Sequence, residues 1–227
     1  MYIIIIGNED TMKKIGVLTS GGDAPGMNAA INGIVDEAVK HNIQVRGYLE
    51  GYDGLIDNDY IELTPKVVKP HVSSGGTFLG SARSQRFFDE EIQKEVGERL
   101  HQEDVEGLIV IGGDGSFIGA LKLSKFGLLT IGIPGTIDND IAETDLTLGF
   151  NTAVRNVVKT VDMIMQSAAS HRHLYAIEVM GRRAGYIAKK AGRALDADGI
   201  IAAYEDFDVK EVEQIIKHSR EIGKRYQ

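Results

Sequence analysis

The sequence predicts an α/β fold, a doubly wound parallel sheet in three layers, on three observations. Short β-branched runs alternate with amphipathic helical stretches, the order that packs helices on both faces of a sheet. Several runs are apolar at nearly every position, as parallel strands buried on both sides require. Glycine is in excess, 27 of 227 residues, or about 12% against a usual ~7%, and it gathers where the runs meet the helices.

In chain order, the strand candidates are 15–19, 44–48, 107–111, 130–133, 174–179 and 199–202. A long helix is predicted where Phe150, Val154, Val157, Val158, Val161, Ile164, Met165 and Ala168 recur at helical spacing. A last helix runs from Val209 to Tyr226 on Val212, Ile215, Ile216 and Ile222. No internal repeat or low-complexity linker interrupts the order. A boundary is expected near 148–151, where a Gly- and Asp-rich section gives way to the long helix. Residues 1–11 read as an extension ahead of a second methionine, Met12, with an added edge strand as the alternative. The short Ile3–Ile6 run lacks the basic start and length of a signal peptide.

Composition narrows the function. The formal net charge of −8 argues against general affinity for a nucleic-acid backbone. No apolar run approaches the ~18 residues of a membrane span. With no cysteine, disulfides, thiolate nucleophiles and Cys-ligated metals are all removed, and the chain suits a reducing cytoplasm. The six histidines are scattered apart from His171 and His173, which have no third ligand nearby and make a poor zinc site.

Three glycine-rich loops each follow a strand, where such sheets bind ligands. The first is Ser20-Gly21-Gly22-Asp23-Ala24-Pro25-Gly26-Met27-Asn28. It is neither GxGxxG nor a Walker A sequence, and a tight turn competes with phosphate binding as its explanation. The second is Gly112-Gly113-Asp114-Gly115-Ser116, with Gly119 one turn on. A carboxylate among glycines at a strand end suits Mg2+ and phosphate. The third is Pro134-Gly135-Thr136-Ile137-Asp138-Asn139-Asp140. Its two carboxylates suit a general base and a supporting acid, although a polar Asx turn would also explain them.

These three loops, with Ile177-Glu178-Val179-Met180-Gly181-Arg182-Arg183-Ala184-Gly185, resemble the bacterial-type ATP-dependent 6-phosphofructokinases in order and spacing from Met12 onward. The resemblance implies transfer of the γ-phosphoryl of Mg-ATP to the 1-hydroxyl of fructose 6-phosphate. It implies that Gly22, Gly113, Gly115, Ser116 and Gly119 line the ATP phosphates, that Asp114 helps hold Mg2+, and that Tyr52 and Arg83 contact the nucleotide. By the same resemblance Asp138 is the general base, flanked by Thr136 and Asp140. Arg182 balances charge on the moving phosphoryl, and Met180 and Gly181 contact the sugar. Glycine at 115 and 135, where pyrophosphate-dependent relatives carry Asp and Lys, implies ATP as donor.

The resemblance divides the chain into an extension (1–11), an ATP-binding domain (12–149) and a partial sugar-phosphate domain (150–227), the second domain being incomplete because family members are longer. It further implies a cytoplasmic homotetramer acting in glycolysis, without nucleic-acid or membrane partners. His173 stands where the family places an arginine for a neighbouring subunit's sugar phosphate, and Arg172 beside it would face the other way on a strand. Phe88 replaces a basic residue near the adenine. The positions of the regulatory site read Asn32, Asp36, Met165 and Ile222, with Lys224 alone basic, which implies that this regulation is lost. The competing reading is a nucleotide-binding remnant or assembly partner without full catalysis.

Overall fold

The computed structural model describes residues 12–171, 174–202, 204 and 208–221. The 1–11 extension, Arg172, His173, Ile222 and Lys224 lie outside the described residues, with the end of the last predicted helix. Contacts gather into two compact units, one up to Gly135 and one from Thr136 onward, a division that precedes the 148–151 stretch.

In the first unit the elements are β1 (Lys14–Ser20), α1 (Met27–Lys40), β2 (Gln44–Tyr48), α2 (Tyr52–Asp57), β3 (Tyr60–Leu63), α3 (Pro65–Val68), α4 (Glu90–Gln102), β4 (Gly107–Gly112), α5 (Asp114–Ser124) and β5 (Leu129–Thr136). The order of the first unit's sheet is β3-β2-β1-β4-β5. β2, β1, β4 and β5 are parallel, as the apolar runs predict. The sheet is mixed rather than wholly parallel, because β3 pairs antiparallel with β2, Val45 opposite Leu63. That edge strand carries Glu62 among apolar residues, and no continuous apolar run announces it.

Register positions the loops. Ser20 at the end of β1 stands opposite Gly112 at the end of β4, and Gly112 stands opposite Pro134 on β5. The carboxyl ends of β1 and β4 therefore finish level, and β5 runs on past them to Thr136. Beneath them the core joins Leu18, Tyr48, Tyr52, Leu55, Leu100, Leu108 and Leu123. Helix α4 starts on Asp89, whose carboxylate accepts from the Glu91 amide at 2.8 Å. Glu90 and Glu91 in its first turn and Arg99 and His101 in its last complement the helix dipole.

The second unit contains α6 (Phe150–His171), α7 (Tyr186–Ala194) and α8 (Val209–Glu221). Phe150, Val154, Ile187 and Ala191 form its buried cluster. The expected strands at 174–179 and 199–202 are not strands. No helix among the described residues is long and apolar enough to cross a membrane.

Candidate active site

In the first unit, the first two glycine loops are built against each other. Ser116 lies in the first turn of α5, and its hydroxyl donates to the Ser20 carbonyl at 3.1 Å. Gly112 admits this approach, since a Cβ there would fall 2.5 Å from both Ser116 Oγ and Ser20 O. Gly21 holds a φ of +90°, a conformation glycine adopts without steric cost. The helix α5 opens at Gly113 with no side-chain cap, so its first amides face outward at the positive end of the dipole.

Within the first two loops, Gly22 and Gly115 have no packing or conformational reason to be glycine. A Cβ on Gly22 or on Gly115 would meet nothing within 4 Å, and neither residue has positive φ. The protein leaves this space clear beside amides that attract anions. Asp114 and Arg83 are both exposed, and neither has a hydrogen-bond or ion-pair partner among the described residues. No group of three His, Cys, Asp or Glu clusters among the described residues. A metal here would thus take one carboxylate from the protein and its other oxygens from phosphate and water, the usual manner of Mg2+. The residues fit a magnesium–triphosphate group.

Other predicted contacts sit under the surface rather than on it. Tyr52 is 4% exposed, its hydroxyl donates to the Ser116 carbonyl at 2.6 Å, and its ring stacks on Phe87 at 4.3 Å. Burial pushes its phenol well above the ordinary value. Gly119 faces that ring, and a Cβ there would lie 2.6 Å from the Tyr52 hydroxyl. Its glycine therefore has a packing reason, independent of any ligand. Gly135 likewise packs on Ile111 and Met27, with contacts of 2.9 and 3.1 Å to a Cβ built there. Phe88 is 74% exposed.

In the second unit, Thr136, Asp138, Asp140 and Arg182 are brought together. Asp138 is 8% exposed, and its amide donates to Thr136 Oγ1 at 3.2 Å. Burial raises its carboxyl above the ordinary carboxylate value, the Asp140 charge raises it further, and Arg182 and Thr136 oppose both. Asn139 at φ +54° turns the loop. Its Oδ1 accepts from the Thr147 amide at 2.8 Å, and Thr147 Oγ1 donates to the Thr136 carbonyl at 2.6 Å. The loop is thus tied by a serine/threonine-type turn at Thr136 and by Asn139 reaching on to Thr147, and it holds a buried carboxylate. Gly181 is buried at φ +136° and turns the chain between Met180, 76% exposed, and the exposed Arg182.

A further segment, Ser74–Ala82, leads into Arg83 and crosses the first glycine loop. Ser81 Oγ donates to the Gly21 carbonyl at 2.8 Å, and Thr19 Oγ1 to the Gly80 carbonyl at 2.6 Å. Its cluster of Gly75, Gly76 and Gly80 among Ser and Thr is the available signal of a structured loop.

The phosphofructokinase family model matches residues 14–227. The ATP-dependent 6-phosphofructokinase of Lactobacillus acidophilus is 46% identical over 213 residues, which are 94% of this chain and 67% of the relative. That of Streptococcus suis is 48% identical over 215 residues, 95% of this chain and 64% of the relative. Among solved structures, Saccharomyces cerevisiae phosphofructokinase superposes with a TM-score of 0.85 at 32% identity, over 94% of this chain and 32% of that one. A pyrophosphate-dependent phosphofructokinase from Marinobacter aquaeolei gives a TM-score of 0.82 at 23% identity, over 93% of this chain and 58% of that one. The latter likeness is one of fold alone. The chain spans about two thirds of the length of the bacterial relatives it matches.

Proposed function

The chain belongs to the phosphofructokinase family, and from that premise we propose that it transfers the terminal phosphoryl of Mg-ATP to the 1-hydroxyl of fructose 6-phosphate. The products are ADP and fructose 1,6-bisphosphate, the glycolytic reaction. The observation that carries this reading is the clear space at Gly22 and Gly115 beside the uncapped α5. That space suits a phosphate chain, and side chains there would occupy it. Gly115 also supports ATP over pyrophosphate as donor. Gly135 supports it less, having its own packing reason.

Asp114 is the residue that would hold Mg2+, which neutralises charge on the phosphates when bound. Amides at Gly22, Gly113 and Gly115 and the Arg83 guanidinium orient the triphosphate, while Tyr52, Ser116 and Gly119 support that surface from below. Asp138 accepts the proton of the sugar hydroxyl as its oxygen attacks. Its raised carboxyl makes it a better proton acceptor than an ordinary aspartate. Arg182 offsets the negative charge of the transferring group, Asp140 and Thr136 set the electrostatics and position of Asp138, and Met180 and Gly181 contact the sugar. Similarity also supports assignment as a cytoplasmic homotetramer.

The test follows ADP and fructose 1,6-bisphosphate formation by the full chain, with ATP binding measured separately. Asp138→Asn is expected to lower turnover by about 10²–10⁴-fold with ATP binding unchanged. Unchanged turnover in that variant would remove Asp138 as the base. ATP binding without turnover in the natural sequence would favour a nucleotide-binding module lacking catalysis.

A further inference from the structure

Asn28 is the second residue of α1, 1% exposed, and no role in nucleotide binding follows from the loops above. Its side chain makes no cap for its own helix. Instead it reaches across to the Ser74–Ala82 segment with both halves of its carboxamide. Nδ2 donates to the Ser74 carbonyl at 3.2 Å, and Oδ1 accepts from the Phe78 amide at 2.9 Å. The two backbone partners fix which way the amide faces, because one offers only an acceptor and the other only a donor. Phe78 is also held by a ring stack on His71 at 4.5 Å.

From that anchor the segment is bonded onward to the first glycine loop. The Thr19 hydroxyl donates to the Gly80 carbonyl at 2.6 Å, so its 2.9 Å contact with Thr77 must be donated by the Thr77 hydroxyl. The Glu50 amide donates to the Leu79 carbonyl at 2.8 Å. Ser81 Oγ donates to the Gly21 carbonyl, and the Gly21 amide donates to the Ala82 carbonyl at 3.4 Å. Gly22 and Arg83 are the next residues on the two sides of this last pairing. Asn28 therefore sits at the start of a chain of bonds that ends at the clear space and the free guanidinium.

We propose that Asn28 is a positioning residue for the triphosphate: by clamping Ser74 and Phe78 it fixes the Ser74–Ala82 segment, and through it the Gly21–Gly22 backbone and Arg83. No other side chain type of that size offers a donor and an acceptor at the required span. Aspartate would keep the bond from Phe78 but leave the Ser74 carbonyl facing a carboxylate. Alanine would leave two backbone groups without their partner, each a real loss when buried. The inference rests on the reading of this surface as an ATP site.

The experiment titrates the full chain with Mg-ATP and, separately, with adenosine, for the natural sequence, Asn28→Ala, Ser81→Ala and the core control Leu100→Ala. Hydrogen exchange of residues 74–82 is followed in parallel. Asn28→Ala is expected to weaken ATP about ten-fold, to leave adenosine within about two-fold, and to speed exchange at Phe78 and Gly80. Ser81→Ala is expected to act in the same direction and less strongly, and it decides the matter if Asn28→Ala does not fold. Leu100→Ala, although less stable, is expected to keep the ATP-to-adenosine ratio. An unaltered ratio in folded Asn28→Ala and Ser81→Ala would overturn the proposal while leaving the ATP site intact. A ratio that falls equally in Leu100→Ala would overturn it too, as general loosening. Failure of the natural sequence to bind ATP would sink the underlying reading as well.

Discussion

Residues 15–19 and 174–179 are similarly apolar runs, yet only the first is a strand. β1 has β2 hydrogen-bonded on one side and β4 on the other, and its residues from Ile15 to Ser20 are buried. In the second unit, 174–179 stays irregular, with Leu174 52% and Ile177 40% exposed. These residues line one side of an apolar cavity of about 770 Å³ bounded also by Val161, Ala191, Val212 and Ile215. A helix satisfies its own amides, whereas a strand exists only through its neighbours. The pattern of side chains says what a segment could bury, and the sheet decides whether it does.

The sharpest test of this contrast is a pair of large-to-small substitutions. Leu100 is fully buried in the first unit's core, and Leu100→Ala is expected to cost about 2–5 kcal/mol. Ile177→Ala removes a side chain that is already substantially wet, and is expected to cost under about 1 kcal/mol. Denaturant unfolding of each variant, read against the natural chain, measures both. Equal losses would break the comparison and place 174–179 in a packed core.

How much was legible follows the same division. The parallel strands β1 and β4 are legible as runs apolar at nearly every position, which suits strands covered on both faces, and the loops at their ends follow. β3 was not legible, because an antiparallel edge strand with Glu62 on it has no distinguishing period. At the site, Gly22, Gly115, Asp114 and Arg83 are exposed where the motifs place them, while Tyr52 and Gly119 turn inward. Nothing in a motif tells a glycine kept bare for a ligand from one kept bare for a tyrosine ring. That depends on which side chain arrives from 67 residues away in the chain, as Tyr52 does on Gly119. Asn28 closes the first loop's motif, but its partners at Ser74 and Phe78 are not legible there for the same reason, being distant in sequence.

This difference between glycines supplies the next test. Gly119→Ala must displace the Tyr52 ring and is expected to cost about 1–3 kcal/mol of stability. Gly115→Ala meets nothing and replaces a glycine inside a helix, so it is expected to stabilise by about 0.5–1 kcal/mol. Its effect should appear instead as a higher KM for ATP. Thermal unfolding and ATP-dependence of turnover, measured on both, separate the two. A Gly115→Ala protein with unchanged ATP dependence would show that the open space is not used by the nucleotide.

The smallest expected effect lies in the second unit and concerns protons. As the proposed base, Asp138 would accept a proton only when ionised, and its carboxyl is raised first by burial and then by Asp140. Turnover should therefore fall on acidification at a pH above the range of an ordinary aspartate. Asp140→Asn removes a like charge, so the acid limb of kcat/KM should move to lower pH. Arg182→Met removes an opposing charge, so the limb should move to higher pH, together with a lower plateau. Stability runs the other way from activity. A carboxyl raised by the fold contributes stability that is present while protonated and lost as pH rises through its folded value. Asp138→Asn is consequently expected to be at least as stable as the natural chain at neutral pH while nearly inactive. A destabilised Asp138→Asn variant would mean that the ionised carboxylate is held by the loop rather than strained by it, and the origin of its raised affinity for protons would have to be sought outside burial.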